Sequence, residues 1–371
     1  MKNEWEFVKK VEIDGMQVEL SAPQLVARSK RYCWFPTLVV LSNDDMIASV
    51  SPVPDRHFSA TTAIIYRSSD GGIKWNETAV SVDYGWNSVC LAGGDTIILP
   101  YYMTPKGDGI GRACNVFRKN EYMPEYVEKG VYVGGWPNRI KSFSQDLNIA
   151  GFVFNGQSIS ARDGTYLTTL YGFFEGIKRM NLVLAESKDG FNWKIRSVIA
   201  DGDIELKGDD GPSESAICRM KDERIMCIFR MGGFVPYGIC FSSDDGMTWT
   251  KPVQMAEDVL SVEPSLAVIP DGTVVLSGGR PGIWLWFNRD GNGNNWSKID
   301  IAAHHTTCCP DEPIYGSVEW QQQNSSCYTE VVYAGNNELF LIYDRIPCGW
   351  APIPPDSKDT NSVWVIKVRI R

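Results

Sequence analysis

Hydrophobic residues along the chain occur in pairs of short runs, and a polar turn separates the two runs of each pair. The first pair reads WFPTLVVLSNDDMIASVS from Trp34, and the fifth reads VEPSLAVIPDGTVVLSGGR from Val262. Four further pairs begin at Trp86, Gly156, Ser213 and Tyr328. Runs of this length bounded by Gly, Asp and Asn predict β-strands joined by tight turns. A third run, such as TTAIIYRSS or YGICFSS, follows each pair and predicts a third strand.

A turn with the spacing S-x-D-x-G-x-x-W follows several of these third strands. Two regular copies, a shorter variant and a longer variant occupy residues 68–75, 242–249, 187–193 and 288–296. In such a turn the Asp side chain accepts backbone N–H groups, the Gly adopts positive φ, and the Trp covers the hairpin. Intervals of about 50 residues, or twice that, predict an array of repeated units.

The repeats predict an all-β fold, a six-bladed β-propeller formed by residues 1–371 as a single domain. Each of the six units supplies about four strands, and no segment shows long helical periodicity with caps. Radial repetition protects the edges of the sheets. We expect VWVIKVRIR near the C-terminus and QVELSAP near the N-terminus to close the ring.

Composition narrows the possible partners. The 371 residues are 43% hydrophobic and 22% charged, which is typical of a globular protein. The net charge of −9 without a long basic run argues against nucleic acid. No signal-peptide core or membrane-spanning run is expected, and the ten cysteines lack a disulfide-framework spacing. These features favour a cytoplasmic protein with reduced thiols.

Two sets of side chains are expected on the propeller face opposite the repeated turns. The starts of the inner strands contribute Trp34, Trp86, Glu214, Glu263 and Tyr328. The ends of the second strands and the loops after them contribute Asp55, His57, Glu175, Arg230, Arg280 and Arg345. Buried charges need partners, and the mouth of a propeller is a natural concave site. This face is therefore the predicted active face.

The repeated turns resemble the Asp-box (BNR) turns of the sialidase superfamily, whose members are six-bladed propellers. The resemblance covers most of the chain from Trp34 and includes GPSESAICRMKDERIMCIFR and SSCYTEVVYAGNNELFLIYDR. It implies that Glu214 and Tyr328 form a catalytic pair. It also implies that Arg230 and Arg280 bind a substrate carboxylate.

Two positions depart from the family pattern. The family begins its first inner strand with R-I-P, whereas this chain has Trp34, Phe35 and Pro36. The family's acid/base Asp has no counterpart in DRHFSATTAIIYR, where Asp55 and His57 are the nearest titratable residues. In the place of the missing arginine, Trp34 suits stacking on a sugar face.

The Tyr–Glu pair has a physical rationale. A substrate that carries a carboxylate on its reacting carbon repels an anionic nucleophile, whereas a neutral tyrosine avoids that repulsion. An adjacent glutamate can take the phenolic proton, and arginines can bind the carboxylate in a bidentate manner.

The segment HHTTCCPDE, residues 304–312, contains zinc-ligand residue types in a spacing that matches no structural zinc pattern. We therefore expect no metal and no cofactor. The segment is predicted to be a loop on the active face, from which His304 or His305 could reach the site as an acid or a hydroxyl ligand.

The sequence favours a sialidase-like exo-glycoside hydrolase for the terminal, acidic sugar of a small glycan. One alternative is a two-carboxylate glycosidase that uses Glu214 or Glu263. Another is a uronate-directed lyase in which His57 or Tyr328 abstracts a proton, and a third is a non-catalytic sugar-binding propeller. The sugar, the linkage, the stereochemical outcome and the oligomeric state stay open.

Overall fold

The computed structural model describes residues 4–55, 62–82, 85, 87–144, 146–260, 262–317 and 323–371. These residues form sheets of two to nine strands, almost all of them antiparallel, and one short helix. The chain begins with β1 (Phe7–Ile13), β2 (Met16–Ser21) and β3 (Gln24–Ser29).

The first four-stranded sheet follows directly. It consists of β4 (Trp34–Val40), β5 (Met46–Ser51), β6 (Thr62–Ser68) and β7 (Asn76–Val82). Strands β4 and β5 are almost entirely buried, as continuous apolar runs are when other sheets cover both of their faces.

The second and third units are joined into one nine-stranded sheet. The second contains β8 (Asn87–Cys90), β9 (Thr96–Leu99), β10 (Thr104–Lys106), β11 (Gly109–Phe117) and β12 (Glu125–Gly134). A two-stranded ladder of β13 (Ser142–Ser144) and β14 (Ile149–Ala150) leads to the third unit. The third contains β15 (Phe152–Ser160), β16 (Tyr166–Gly172), β17 (Asn181–Ser187) and β18 (Asn192–Ala200). Strands β12 and β18 pair in parallel and connect the two outer edges.

The fourth and fifth units are separate four-stranded sheets. The fourth consists of β19 (Ser215–Arg219), β20 (Ile225–Phe229), β21 (Gly238–Ser242) and β22 (Val253–Gln254). The fifth consists of β23 (Val262–Val268), β24 (Val274–Gly279), β25 (Ile283–Asn288) and β26 (Ser297–Asp300). Helix α1 (Ile301–Cys308) follows and is capped by Asp300, which accepts the N–H of Ala303 at 2.8 Å.

Residues from both ends of the chain complete the sixth unit. It contains β27 (Glu330–Tyr333), β28 (Glu338–Arg345) and β29 (Asn361–Ile370). The free edge of β29 pairs with β2 and with β3. Both predicted closing segments are thus in the closing sheet.

Hydrophobic clusters fill the spaces between neighbouring sheets. Pairs that share a cluster, in order around the ring, are Ile47 with Ile98, Leu99 with Phe154, Leu184 with Ile225, Ile228 with Leu276, Val275 with Leu341, and Ile342 with Leu38. The last pair returns to the first sheet, so the interfaces close a ring. This arrangement agrees with the six predicted blades.

The repeated turns join third and fourth strands, as predicted. In the first turn, the Ser68 hydroxyl donates to Asp70 at 2.9 Å, and Asp70 accepts the N–H of Lys74 at 2.9 Å. The Trp75 indole N–H donates to the carbonyl of Gly72 at 2.9 Å.

The turns at Ser187 and Ser242 repeat the bonds to the Asp carboxylate. In the fourth turn Asn292, and not Asp290, accepts the N–H of Asn294 at 2.8 Å. The longer spacing of this turn therefore moves the accepting side chain by two positions.

Candidate active site

Four residues around Tyr328 have backbone φ in the left-handed region. The angles are +50° at Phe35, +36° at Glu263, +103° at Arg280 and +63° at Cys327. The other described non-glycine residues with positive φ lie in turns between strands. Each such conformation costs on the order of 1 kcal/mol for a side chain with a Cβ. Strain of this kind concentrates at functional sites, so the geometry singles out the surroundings of Tyr328.

Glu214 lies just before β19 and binds Arg230, which follows β20, and Tyr328, which precedes β27. Its carboxylate accepts Nη1 of Arg230 at 2.8 and 2.9 Å on its two oxygens. It also accepts the hydroxyl of Tyr328 and, at 3.1 Å, the backbone N–H of Glu263. We call Glu214, Arg230 and Tyr328 the Glu214 triad. The structure thus brings together three of the residues that the sequence singled out.

Protonation in the Glu214 triad follows from burial and charge. Burial alone would raise the pKa of Glu214, but the charge of Arg230 and the hydrogen bonds from Tyr328 and Arg230 lower it overall. Burial and the negative charge of Glu214 raise the pKa of Tyr328 well above its ordinary value. At neutral pH the pair is therefore an uncharged phenol that donates to an ionised carboxylate.

Arg280 lies against the triad but is almost fully buried, with 3% of its surface exposed. Its guanidinium is 5.7 Å from the ring centre of Tyr328 and 5.5 Å from that of Trp350. Its Nη2 donates to the carbonyl of Ser326 at 2.7 Å. Two aromatic rings therefore hold this arginine in place beside Tyr328.

A second carboxyl group lies next to Glu214 on the axis. Asn155 Nδ2 donates to Glu263 at 2.9 Å, and Asn155 Oδ1 accepts the N–H of Ser215. Burial, followed by the charge of Glu214, raises the pKa of Glu263 well above its ordinary value. Glu214 and Glu263 are thus adjacent carboxyl groups whose pKa values are shifted in opposite directions.

A third carboxyl group continues this line. Glu330 accepts the N–H of Leu38 at 2.6 Å and Nε2 of Gln157 at 2.8 Å, so it links three inner strands. Burial raises its pKa to about 7. We call Glu214, Glu263 and Glu330 the glutamate column. The space enclosed between Glu263, Tyr328 and Glu330 is only about 10 Å³, which is room for about one water.

Several contributors were not among the sequence candidates. The hydroxyls of Tyr101 and Tyr171 are 2.5 Å apart, and the charge of Glu214 acts on both. Asp210 lies 3.5 Å from Nη2 of Arg230 and is partly exposed. Asp210 stands in the acidic loop before Glu214, where a search for carboxylates near the triad would have found it. The two tyrosines follow apolar strands and resemble packing residues in the sequence.

Two residues predicted to bind substrate have structural partners instead. Arg345 donates to both oxygens of Asp359, at 2.8 and 3.1 Å, and is 3% exposed. The indole of Trp34 is 1% exposed, donates to the carbonyl of Val53, and stacks on Phe35. Trp34 therefore presents no face to a sugar, which corrects the stacking expected from its position.

The predicted loop at residues 304–312 begins inside helix α1, and its two histidines are buried. His304 Nε2 is 2.9 Å from the carbonyl of Ser21, and His305 Nδ1 is 3.0 Å from the hydroxyl of Tyr343. Burial lowers the pKa of His304, and that of His305 to about 4. Both rings are thus uncharged packing groups, and the prediction that they reach the site is wrong. The short capped helix was missed because eight residues are too few for periodicity to appear.

The remaining candidates lie apart or undescribed. Glu175 is exposed and pairs with Arg139 at 3.2 Å. Asp55 is exposed in the turn after β5. His57 and Trp86 lie outside the described residues. The functional roles of these four stay predictions.

Two kinds of site have no counterpart in the described ranges. No three His, Cys, Asp or Glu side chains among the described residues are grouped as a metal site requires. Within the same ranges, no helix has the length and hydrophobicity needed to cross a membrane.

Comparison with known proteins identifies the fold. No family model and no curated protein matches the sequence. The chain is similar to a protein of unknown function from Dyadobacter fermentans, with a TM-score of 0.70, 15% identity, and coverage of 97% of this chain and 100% of that one. It is also similar to an α-L-arabinanase from Penicillium chrysogenum complexed with arabinobiose, with a TM-score of 0.60, 14% identity, and coverage of 93% and 98%.

A sialidase is similar as well. For the NanB sialidase from Streptococcus pneumoniae, the TM-score is 0.59 at 14% identity, over 94% of this chain and 70% of that one. At these identities the likeness shows the fold alone. The all-β propeller predicted from the sequence is confirmed, whereas membership of the sialidase superfamily stays a prediction.

Proposed function

We propose that the protein is an exo-acting glycoside hydrolase that removes a terminal acidic sugar and uses Tyr328 as its nucleophile. The observation that carries the proposal is the hydrogen bond from the uncharged Tyr328 phenol to the ionised Glu214 carboxylate. Solved structures with the same fold include proteins named as sialidases and as an arabinofuranosidase, which supports carbohydrate chemistry on this scaffold.

The reaction uses the pair in two steps. The Tyr328 oxygen attacks the anomeric carbon while the phenolic proton passes to Glu214, and the bond to the leaving-group oxygen breaks. The leaving oxygen takes a proton from a separate acid, for which Asp55 and His57 remain the candidates from the sequence. Water then attacks the anomeric carbon and gives a proton to the separate acid, which the first step left deprotonated. The carbon–oxygen bond to Tyr328 breaks, and Glu214 returns its proton to the phenolate oxygen.

The arginine side chains near Tyr328 favour an acidic sugar as the substrate. Nε of Arg230 is buried and donates to none of the described residues, so this guanidinium keeps an unsatisfied donor while its Nη1 lies 3.3 Å from the Tyr328 hydroxyl. Arg280 places a second positive charge beside the Tyr328 ring. Arginine recognises carboxylates through paired donors. With Arg345 bound to Asp359, two arginines rather than three support this recognition.

A two-carboxylate glycosidase is the second candidate, because Glu214 and Glu263 have pKa values shifted in opposite directions. Such separation assigns an ionised nucleophile and a protonated acid in glycosidases. Against this candidate, Glu263 faces the small enclosed space on the axis and is bound by Asn155.

Trapping the covalent intermediate separates the two candidates. The protein is first assayed on 4-methylumbelliferyl sialoside, arabinobiose and a uronate oligosaccharide, to find the accepted sugar. A fluorinated glycosyl fluoride of that sugar then labels the nucleophile, and peptide mass spectrometry locates the label. We expect the label on Tyr328, and its appearance on Glu214 instead would establish the two-carboxylate mechanism.

The same assay tests the remaining alternatives. New ultraviolet absorbance from an unsaturated product would identify a lyase. Binding without turnover of any sugar would identify a sugar-binding propeller. Tyr333→Phe is a matched control. Tyr333 is the last residue of β27, the strand that Tyr328 precedes, and its side chain is exposed. Its activity should equal that of the wild type.

A further inference from the structure

A wide concavity lies on the outer part of the active face, beside the second and third units. Its volume is about 830 Å³, within the range of ligand pockets in proteins. Residues 105–110 form one wall, and residues 135–142 form another. Both segments connect strands at the end that faces away from the repeated turns, so the concavity and Tyr328 share a face.

Two chain segments lead from the triad to this concavity. Tyr101 and Tyr171, bonded to each other, lie in the electrostatic field of Glu214. Four residues further along, the first segment reaches Pro105 and the second reaches Glu175. Four residues of chain span at most about 14 Å. The wall of the concavity at Pro105 therefore begins within about 14 Å of the backbone of Tyr101.

Backbone hydrogen bonds make these segments a continuous surface. The N–H of Phe173 donates to Gly151 at 2.9 Å, and the N–H of Lys141 donates to Phe173 at 2.9 Å. The N–H of Glu175 donates to the carbonyl of Arg139 at 2.8 Å. The wall that carries Arg139 is thus tied to the strand end that carries Tyr171.

The lining offers both signs of charge and an aromatic ring. Arg139 is largely exposed and pairs with Glu175, and Asp108 accepts the hydroxyl of Tyr132. Trp136 is half-buried on the same wall, and Asn138 is exposed. These side chains include both donors to and acceptors from the hydroxyl groups of a sugar. It does not select an anion, because the positive charge of Arg139 is balanced by Glu175.

We propose that this concavity is the leaving-group subsite, which binds the neutral sugar units that follow the terminal acidic sugar. The inference rests on the proposed function and deepens it. Tyr328 and the arginines beside it hold the sugar that is removed, while the wall of Arg139, Asn138 and Trp136 holds the remainder of the glycan. It also gives Glu175, a predicted substrate-binding residue, a location beside that subsite.

A pair of substrates that differ only beyond the cleaved bond tests this assignment. Sialyllactose has an acidic terminal sugar followed by two neutral sugars, and 4-methylumbelliferyl sialoside replaces the neutral sugars by a dye. We expect Arg139→Ala combined with Asn138→Ala to lower kcat/KM for sialyllactose at least about fivefold, through KM. For the dye substrate the change should stay below about twofold.

The control is Arg162→Ala, which removes a less exposed but still solvent-accessible arginine at the end of the propeller that carries the repeated turns. It should leave both substrates unaffected. Equal losses on both substrates, or no loss on sialyllactose, would overturn the subsite while leaving the hydrolase proposal intact.

A binding experiment tests the subsite if the protein turns over neither sialoside. Saturation-transfer NMR with lactose monitors the neutral part alone, without chemistry. Lactose contacts that disappear in the Arg139→Ala, Asn138→Ala protein but persist in Arg162→Ala would support the subsite even though the proposed reaction fails. Absence of lactose contacts in the wild type would refute it.

Discussion

The repeated turns and the glutamate column are both built from hydrogen-bonded polar side chains, but they differ in the reach of their contacts. In the first turn, Asp70 bonds residues two and four positions away. In the column, Tyr328 reaches Glu214 across 114 residues, and Asn155 reaches Glu263 across 108. A turn is therefore a local device, whereas the column exists only after the inner strands of several units have met.

This difference suggests where changes will be most costly. A turn exposes its carboxylate to water, so a lost bond there can be replaced. The column is buried, so each lost partner leaves a polar group without compensation. We rank the following predictions by the size of the expected effect.

Tyr328→Phe should produce the largest change. The variant lacks the attacking oxygen and the donor to Glu214, and we expect kcat to fall by about 1,000-fold or more on the accepted sugar. Asp70→Asn, at a turn, should keep kcat within about twofold of the wild type. Steady-state kinetics of both variants measures the contrast, and full activity of Tyr328→Phe would eliminate the proposed nucleophile.

Asn155→Ala should destabilise the fold and also reduce activity. The variant removes the acceptor for the N–H of Ser215 and a donor to the Glu263 carboxyl group, both in a fully buried place. We expect the free energy of unfolding to fall by about 2–4 kcal/mol. Urea unfolding measures this loss, and Asn192→Ala at the exposed turn is the matched control, with a cost below about 1 kcal/mol. Similar losses in both variants would contradict the distinction between column and turn.

The column should make stability depend on pH near neutrality. The pKa of Glu330 is raised from 4.5 to about 7, so between these values the native state binds a proton that the unfolded chain has released. Stability from this group is complete below pH 4.5 and is lost as pH rises through 7, by on the order of 3 kcal/mol.

Glu330→Gln isolates this contribution. We expect the free energy of unfolding, measured in urea at pH 5 and pH 8, to fall more steeply with pH in the wild type than in the variant. Gln keeps an acceptor for Leu38 but cannot titrate. Parallel pH dependences of the two proteins would show that Glu330 does not change its charge.

The smallest effect concerns additivity. Asp70→Ala and Asp244→Ala, in different turns, should each cost about 1 kcal/mol, and the double variant should equal their sum within about 0.5 kcal/mol. The side chains of Glu214 and Asn155 are connected through Ser215 and Glu263. The free-energy change of the double variant Glu214→Gln, Asn155→Ala should therefore differ from the sum of the single changes by more than about 0.5 kcal/mol. Urea unfolding of each double-mutant cycle compares the two regions directly.

The same contrast explains what the sequence predicted. Strand pairs and turns follow from residues within about 20 positions, and the predicted propeller is confirmed. The Glu214 triad was assembled through a family resemblance rather than from spacing. Asn155 escaped notice because an amide within an apolar strand carries no pattern, and its partners lie on distant strands.

The wrong expectations have equally specific causes. Arg345 ends a strand as Arg230 does, but Asp359, in a loop without periodicity, binds it. Trp34 occupies the start of an inner strand, yet its ring packs against Phe35 and Trp350. Position along a strand indicates the face of the propeller, while the tertiary partners decide whether a side chain is exposed.

The pairing of β29 with β2 and β3 makes the order of synthesis matter. Residues Val18–Leu20 pair with Val368–Ile370, so the sixth sheet lacks its middle strand until the chain has been made almost to residue 370. Until then only β27 and β28 stand between the first and fifth sheets. Such long-range pairing is slow and leaves apolar surface exposed. The seam that completes the ring is thus the segment at which a truncated or delayed chain is most prone to associate with another copy.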